Sequence, residues 1–231
     1  MAINTVVRYR VRPDRIPVWE SALGDIAKRA QEESEPIRYF CAQVQGGELG
    51  CYDIVLPGES VAEAASRDPA PALIARLFDS KEAMRIMADT SGSILGAESS
   101  ILRDRPELAY PDDEGRSDLL AAVVTTAIVR PGHREPVEEL FRKVAEAIPK
   151  TGESRRFTAW QPLIGDLRAL YAVRPVRAWS ELNEVGPLDD LLNQAFGAAE
   201  GGLIFRAAGE GLESLTSELV VLRPELSRLP D

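Results

Sequence analysis

The chain repeats itself at a fixed offset of 118 residues. Val11-Arg12-Pro13 recurs as Val129-Arg130-Pro131, and the same offset aligns Arg38 with Arg156, Gln43 with Gln161, Gly47 with Gly165 and Leu49 with Leu167. It continues through Val55/Val173, Pro57/Pro175, Leu73/Leu191 and Phe78/Phe196, and closes with Arg105-Pro106-Glu107-Leu108 against Arg223-Pro224-Glu225-Leu226. Without a gap, 25 of 113 aligned positions are identical, where unrelated sequences of ordinary composition give roughly 8. A period this long is that of a whole domain, far beyond a solenoid repeat. The expected organisation is therefore two tandem domains, 1–108 and 119–231. Between them lies a polar, turn-rich linker, 109–118, which includes the acidic run Asp112-Asp113-Glu114.

Both halves read alike. Thr5–Val11 and Ala122–Ile128 are rich in β-branched residues and predict first strands. Ile16, Trp19, Leu23, Ile26, Ala27 and Ala30 fall at helical spacing, as do Val137, Leu140, Phe141, Val144 and Ile148. Strands are expected at Arg38–Val44 and Cys51–Leu56 around a Gly46-Gly47 turn, and at Arg156–Gln161 and Ala169–Val173 around Gly165-Asp166. A second helical region (Pro71–Ala88, Leu188–Phe205) and a last strand (Ser99–Leu102, Leu215–Leu222) complete each half. The order is β-α-β-β-α-β, that of the ferredoxin-like unit. Such a sheet carries helices on one face and leaves the other bare. The predicted fold is α+β: two ferredoxin-like domains packed through their sheets as an intramolecular dimeric α/β barrel.

Composition removes several chemistries. The 231 residues include one histidine, His133, and two cysteines, Cys41 and Cys51, too few for a histidine-rich or cysteine-rich metal centre or an iron–sulfur cluster. No GxGxxG or GxxxxGK[ST] phosphate loop occurs. A net charge of -10 disfavours nucleic acid and anionic membrane surfaces as partners. The N-terminal stretch alternates with arginines and lacks the apolar run of a secretory leader. The expectation is a cytoplasmic protein with reduced thiols, no metal and no cofactor.

The duplicated unit of about 110 residues, its element order and the segment Ala178-Trp179-Ser180-Glu181-Leu182 resemble the dimeric α/β-barrel superfamily, and within it the antibiotic biosynthesis monooxygenase group. Members often carry a tryptophan in a W-x-S-x-x-x-L-like segment opening the second helix. Here Ser180 follows Trp179 directly, Arg177 stands where glutamate is common, and no histidine follows on the helix, which argues against the haem ligation some relatives use. The resemblance implies a cofactor-independent oxygenase. Such an enzyme oxidises an electron-rich, polyketide-like phenol with O2, and the deprotonated substrate itself supplies the electrons. A polyketide cyclase on the same fold and a non-catalytic ligand-binding protein are the alternatives. Partners would be a small aromatic substrate and O2, with room for a further homodimer.

Large rings concentrate in the second half: Phe157, Trp160, Tyr171, Trp179 and Phe205 align with Tyr39, Ala42, Asp53, Val61 and Met87 of the first. That asymmetry makes the second half the expected working one. Trp160, Trp179, Phe157 and Phe205 are the candidate substrate-binding rings. Arg156 is the candidate anion holder, and Tyr171 and Gln161 are the candidate polar catalytic groups. Strand alternation sets Gln161 and Trp160 on opposite faces. Arg8, Arg10 and Arg12 form a basic stripe expected to pair with acids such as Glu218.

Overall fold

The structure is a computed structural model that describes residues 2–66, 70–111 and 119–229. Residues 112–118, which include most of the linker and its acidic run, lie outside the described residues. The strands are β1 (Ile3–Val11), β2 (Phe40–Gly46), β3 (Cys51–Gly58), β4 (Ile94–Asp104), β5 (Ala121–Val129), β6 (Thr158–Ile164), β7 (Ala169–Val176) and β8 (Leu212–Leu222). The helices are α1 (Ile16–Glu32), α2 (Val61–Ser66), α3 (Ala70–Leu77), α4 (Ser80–Ser93), α5 (Arg134–Thr151), α6 (Glu181–Glu184), α7 (Leu188–Phe196) and α8 (Ala198–Gly211). The hydrogen-bonded strand order is β1-β3-β2 in one part of the chain and β5-β7-β6 in the other. Among the described residues no helix is long and apolar enough to cross a membrane.

The chain forms two compact units, Met1–Leu102 with Val220–Asp231, and Arg103–Leu219. In the first, β3 pairs antiparallel with β1 (Ile3↔Gly58 through Arg10↔Cys51) and with β2 (Phe40↔Val55 through Gln43↔Tyr52). Helix α1 buries Trp19, Ala22, Leu23, Ile26, Ala27 and Ala30 on one stripe, each large apolar chain contributing about 1.5–3 kcal/mol. Trp19 lies 4.5 Å, centroid to centroid, from the Tyr52 ring and 6.1 Å from Tyr9. Cys41 and Cys51 are buried free thiols. Along the basic stripe, Arg8 pairs with Asp53, Arg10 with Glu48 and Arg12 with Asp14.

The second unit repeats the plan. Strand β7 pairs with β5 (Ala121↔Val176 through Ile128↔Ala169) and with β6 (Thr158↔Val173 through Trp160↔Tyr171). Helix α5 buries Val137, Leu140, Val144, Ala147 and Ile148, and its entry residue His133 is exposed, with Nδ1 3.0 Å from the Pro131 carbonyl. Gly152, at φ 74°, closes α5 in the left-handed region.

The terminal segments explain why Arg-Pro-Glu-Leu occurs twice. In the first unit the Arg223 N–H donates to the Cys41 carbonyl (2.9 Å), and Tyr39 and Arg228 exchange two backbone bonds of 3.0 Å. In the second, the Arg105 N–H donates to the Ala159 carbonyl (2.8 Å), and Tyr110 and Phe157 exchange bonds of 3.0 and 2.8 Å. These are the same bonds, shifted by the repeat. Each repeat's terminal segment thus completes the compact unit built mainly from the other repeat.

Several observed elements differ from expectation: the last strands start earlier, at Ile94 and Leu212 rather than Ser99 and Leu215, and α4 runs on to Ser93. The second helical region is broken in both halves, by Asp79 capping the N–H groups of Lys81 and Glu82 and by Gly197 at φ 85°. Strands β2 and β6 start two residues later than the sequence suggests, which leaves Arg38 and Arg156 in the preceding loops.

Candidate functional site

Alternation along β5, β7 and β6 sorts the second unit's side chains into two sets. Ala127, Val129, Leu170 and Ala159 pack with Val137 of α5, and Ala172 packs with the neighbouring cluster of Leu140, Val144 and Ile148. These define the helix-facing side. The opposite parity forms cross-strand rows in register. Trp160 lies opposite Tyr171 and Tyr171 opposite Thr126; the next row is Thr158, Val173 and Val124. Every member of both rows is half-buried. Directly opposed residues on adjacent strands hold their Cβ atoms about 5 Å apart, so an indole, a phenol and a hydroxyl stand side by side.

The first unit fills the equivalent row differently. Ala42, Asp53 and Arg8 take the places of Trp160, Tyr171 and Thr126. The Asp53 carboxylate accepts from Arg8 Nε at 2.7 Å and Nη2 at 2.8 Å, a bidentate pair that occupies the face. The same backbone thus carries an ion pair in one unit and two rings with two hydroxyls in the other.

The other predicted residues go elsewhere. Gln161 belongs to the helix-facing side, where its Oε1 accepts from Arg103 Nη2 (2.8 Å) and from Arg105 Nη1. Both lone pairs of that oxygen are used. Arg105 also donates bidentately to Glu138 on α5 (3.1 and 3.0 Å), binds Glu107, and shares Glu138 with Arg134 (2.7 Å). Burial alone would raise the Glu138 carboxyl, but hydrogen bonds from Arg105 and Arg134 hold it below the ordinary glutamate value. The first unit has the same knot. Arg223 Nη1 donates to Glu20 (2.6 Å) and Gln43 (2.7 Å), Arg223 Nε to Glu225 (2.6 Å), and the Tyr52 hydroxyl to Glu20 (2.7 Å). Gln161 is therefore part of a latch that holds a terminal segment.

Arg156 sits in the loop before β6. Its Nη1 donates to the Arg155 carbonyl (2.9 Å) and the Glu153 carbonyl (3.4 Å), and its guanidinium lies 4.7 Å from the Tyr110 ring centroid. Phe157 is buried in the α5 cluster, edge-on to Phe141 at 6.2 Å. Trp179 is 52% exposed in the turn before α6, and Phe205 is 43% exposed on α8. Of the seven predicted residues, register brings together only Trp160 and Tyr171. Thr126, their neighbour, was not among the candidates; its signal is the alignment of a hydroxyl with Arg8 at the position facing Tyr171.

The chain matches no family model and no curated protein. Among solved structures it is similar to a "putative monooxygenase" from Fusobacterium nucleatum, with 12% identity, TM-score 0.59, and 96% of this chain and 92% of that one covered. It is also similar to an anthrone oxidase-like protein at 8% identity and TM-score 0.58, covering 96% and 91%. Chlorite dismutase from Candidatus Nitrospira defluvii matches at 9% identity and TM-score 0.55, covering 97% and 92%. At such identities the likeness is one of fold alone, that of a mixed α+β chain.

Proposed function

We propose that this chain is an oxygenase that oxidises an electron-rich aromatic phenol with O2, and that the substrate lies on the Trp160–Tyr171–Thr126 row. We read the two halves as ferredoxin-like domains from a tandem duplication, of which the second has kept or gained the working face. The observation that carries this reading is the contrast between the rows: an occupied Arg8–Asp53 pair in one unit, two rings in the other. The proteins named as a "putative monooxygenase" and anthrone oxidase-like on a similar fold support it.

The chemistry asks little of the protein. An anthrone-type phenol loses a proton, and the resulting anion passes one electron to O2. The substrate radical and superoxide combine to a peroxide, which loses water to give the quinone. Overall the substrate CH2 and O2 become C=O and H2O. The Trp160 indole offers a flat face to a fused ring. We assign the Tyr171 hydroxyl as donor to the substrate oxyanion and the Thr126 hydroxyl as a second polar contact. Trp179 and Phe205 are assigned to the approach of the substrate. Arg156, Gln161 and Phe157 are assigned no contact with it, because each is committed to the protein itself.

Oxygen consumption by the metal-stripped protein with a panel of anthrones and dihydroxynaphthalenes tests this. Uptake is expected in the parent and about 10²-fold less in Tyr171→Phe, the usual cost of one oxyanion donor. Trp160→Ala should weaken binding more than Trp179→Ala. If the compounds quench tryptophan fluorescence without oxygen uptake, the oxygenase is abandoned; product formed without oxygen would then indicate a cyclase. Uptake unchanged in both Tyr171→Phe and Trp160→Ala would remove the site from this row.

A further inference from the structure

We propose that Tyr52 is a one-electron redox site, oxidised through Tyr9 and Trp19 by radicals of the peroxyl class, with Glu20 as the acceptor of its proton. The site lies in the first unit and does not depend on the substrate assigned to the second. Three rings form a continuous chain there: Tyr9, half-buried on β1, Trp19, buried on α1, and Tyr52, fully buried on β3. Centroid separations of 6.1 Å (Tyr9 to Trp19) and 4.5 Å (Trp19 to Tyr52), with planes tilted by 50° and 41°, set each ring against the next. At the inner end the Tyr52 hydroxyl donates to Glu20 Oε1 at 2.7 Å and accepts from Gln43 Nε2 at 2.8 Å. Arg223 Nη1 donates to the same Glu20 oxygen at 2.6 Å.

A phenol that loses an electron becomes a strong acid, so its oxidation is easiest where a base already holds the hydroxyl proton within hydrogen-bond reach. Burial alone would raise the Glu20 carboxyl, but the bonds from Arg223 and Tyr52 hold it below the ordinary glutamate value, and at neutral pH it is a carboxylate. Burial, with the bond to Glu20, raises the Tyr52 hydroxyl, which keeps its proton while the ring is intact. The step balances. The peroxyl radical takes one electron from Tyr9 and, with a proton from solvent, leaves as the hydroperoxide. The electron that refills Tyr9 comes through Trp19 from Tyr52, and the Tyr52 proton moves to Glu20 Oε1. The products in the protein are a neutral phenoxyl radical and a protonated carboxyl. The repeat shows that the latch does not require these rings. Tyr9, Trp19 and Tyr52 align with Ala127, Val137 and Leu170, which pack together in the second unit. On Glu138, which aligns with Glu20, Arg134 Nε donates to Oε1 at 2.7 Å in the place of the phenol. The same carboxylate thus serves in both units, but only in the first does it hold the proton of an oxidisable ring.

The test is electron paramagnetic resonance of the full chain, frozen after oxidation by photogenerated tris(bipyridine)ruthenium(III), which stands in for the radical oxidant. A neutral tyrosyl signal is expected in the parent and should be lost in Tyr52→Phe, which removes only the hydroxyl. Trp19→Leu should lose the same signal, because the buried phenol is then cut off from the surface ring. Glu20→Gln keeps a hydrogen-bond acceptor but no base. There the tyrosyl signal should give way to that of an oxidised tryptophan, a change that loosened packing would not produce. Should Tyr52→Phe fail to fold, Tyr52→Leu, the residue type of the second unit, carries the same test. A tyrosyl signal retained in the folded Tyr52 variant overturns the proposal, as does a parent that shows none. A signal unchanged in Trp19→Leu overturns the route, and one unchanged in Glu20→Gln overturns the proton acceptor.

Discussion

Glu20 and Glu138 occupy the same place in the repeat, and each anchors an arginine from a terminal segment. Removing the Glu138 charge leaves Arg105 with Glu107 and Gln161 only, in a setting where its side chain is 13% exposed. Glu138→Gln is expected to destabilise the protein by about 1–3 kcal/mol at pH 7, read as a lower urea midpoint. The pH dependence has a definite sign. Both carboxyls titrate below the ordinary glutamate value of 4.5 when folded, so their contribution is complete above about pH 5.5 and is lost as acid protonates them in the folded chain. The parent's midpoint should stay level from about pH 7 to 5.5 and fall below about 4.5, while Glu138→Gln falls less steeply. A midpoint that rises on acidification would contradict the assignment. The identity of these residues between the halves was legible in the sequence; their task was not. Gln161 reads as a polar site residue until its two arginine donors are known, and both come from β4 and the segment after it, more than 50 positions away in the chain.

Helices α7 and α8 show how an element can be legible in type and wrong in extent. Apolar spacing continues from Leu188 to Phe205, and a single helix follows from periodicity alone. Gly197 breaks it, with φ 85° and its N–H bonded to the Asn193 carbonyl, in backbone space that a right-handed helix cannot use. The two helices then approach closely at Gly201. A Cβ there would meet the Leu192 carbonyl carbon at 2.7 Å and the Asn193 nitrogen at 2.8 Å. Gly201→Ala is therefore expected to cost about 1–3 kcal/mol, because the obstacle is backbone. Its neighbour Gly202 has nothing within 4 Å of the same added atom, so Gly202→Ala should be neutral or stabilise by up to about 1 kcal/mol through the unfolded state. Paired chemical-denaturation curves decide it, and equal effects at the two positions would refute the close approach. The aligned residue in the first half is Ala83, buried on α4. Nothing in either sequence segment marks which half packs its helices too closely for a Cβ.

At the scale of the whole chain, sequence repeats and compact units differ. The repeat places the halves at 1–108 and 119–231, but the compact units are Met1–Leu102 with Val220–Asp231, and Arg103–Leu219. Alignment of a chain with itself detects which segments are alike; it carries no information on which copy of a segment packs where. The order of elements and the apolar face of each first helix were therefore readable, whereas the exchange of ends was not. The two views disagree about a chain that ends at Leu219. If compactness decides, the loss falls on the first unit. Glu20 and Gln43 lose Arg223, the Cys41 N–H loses the Ser227 hydroxyl at 2.9 Å, and the core around Trp19, Leu23 and Ala27 loses Leu226. Every named contact of the Arg105 latch survives, since Arg103, Arg105, Glu138 and Gln161 all lie within 103–219. Amide hydrogen exchange on the truncated chain should then show protection lost in β1, β2, β3 and α1, while β6, β7 and α5 keep theirs. If the sequence halves were the folding units, the damage would fall on the second half, from which the segment was cut. Protection lost in β6, β7 and α5 with β1, β2, β3 and α1 unchanged would overturn the exchanged arrangement.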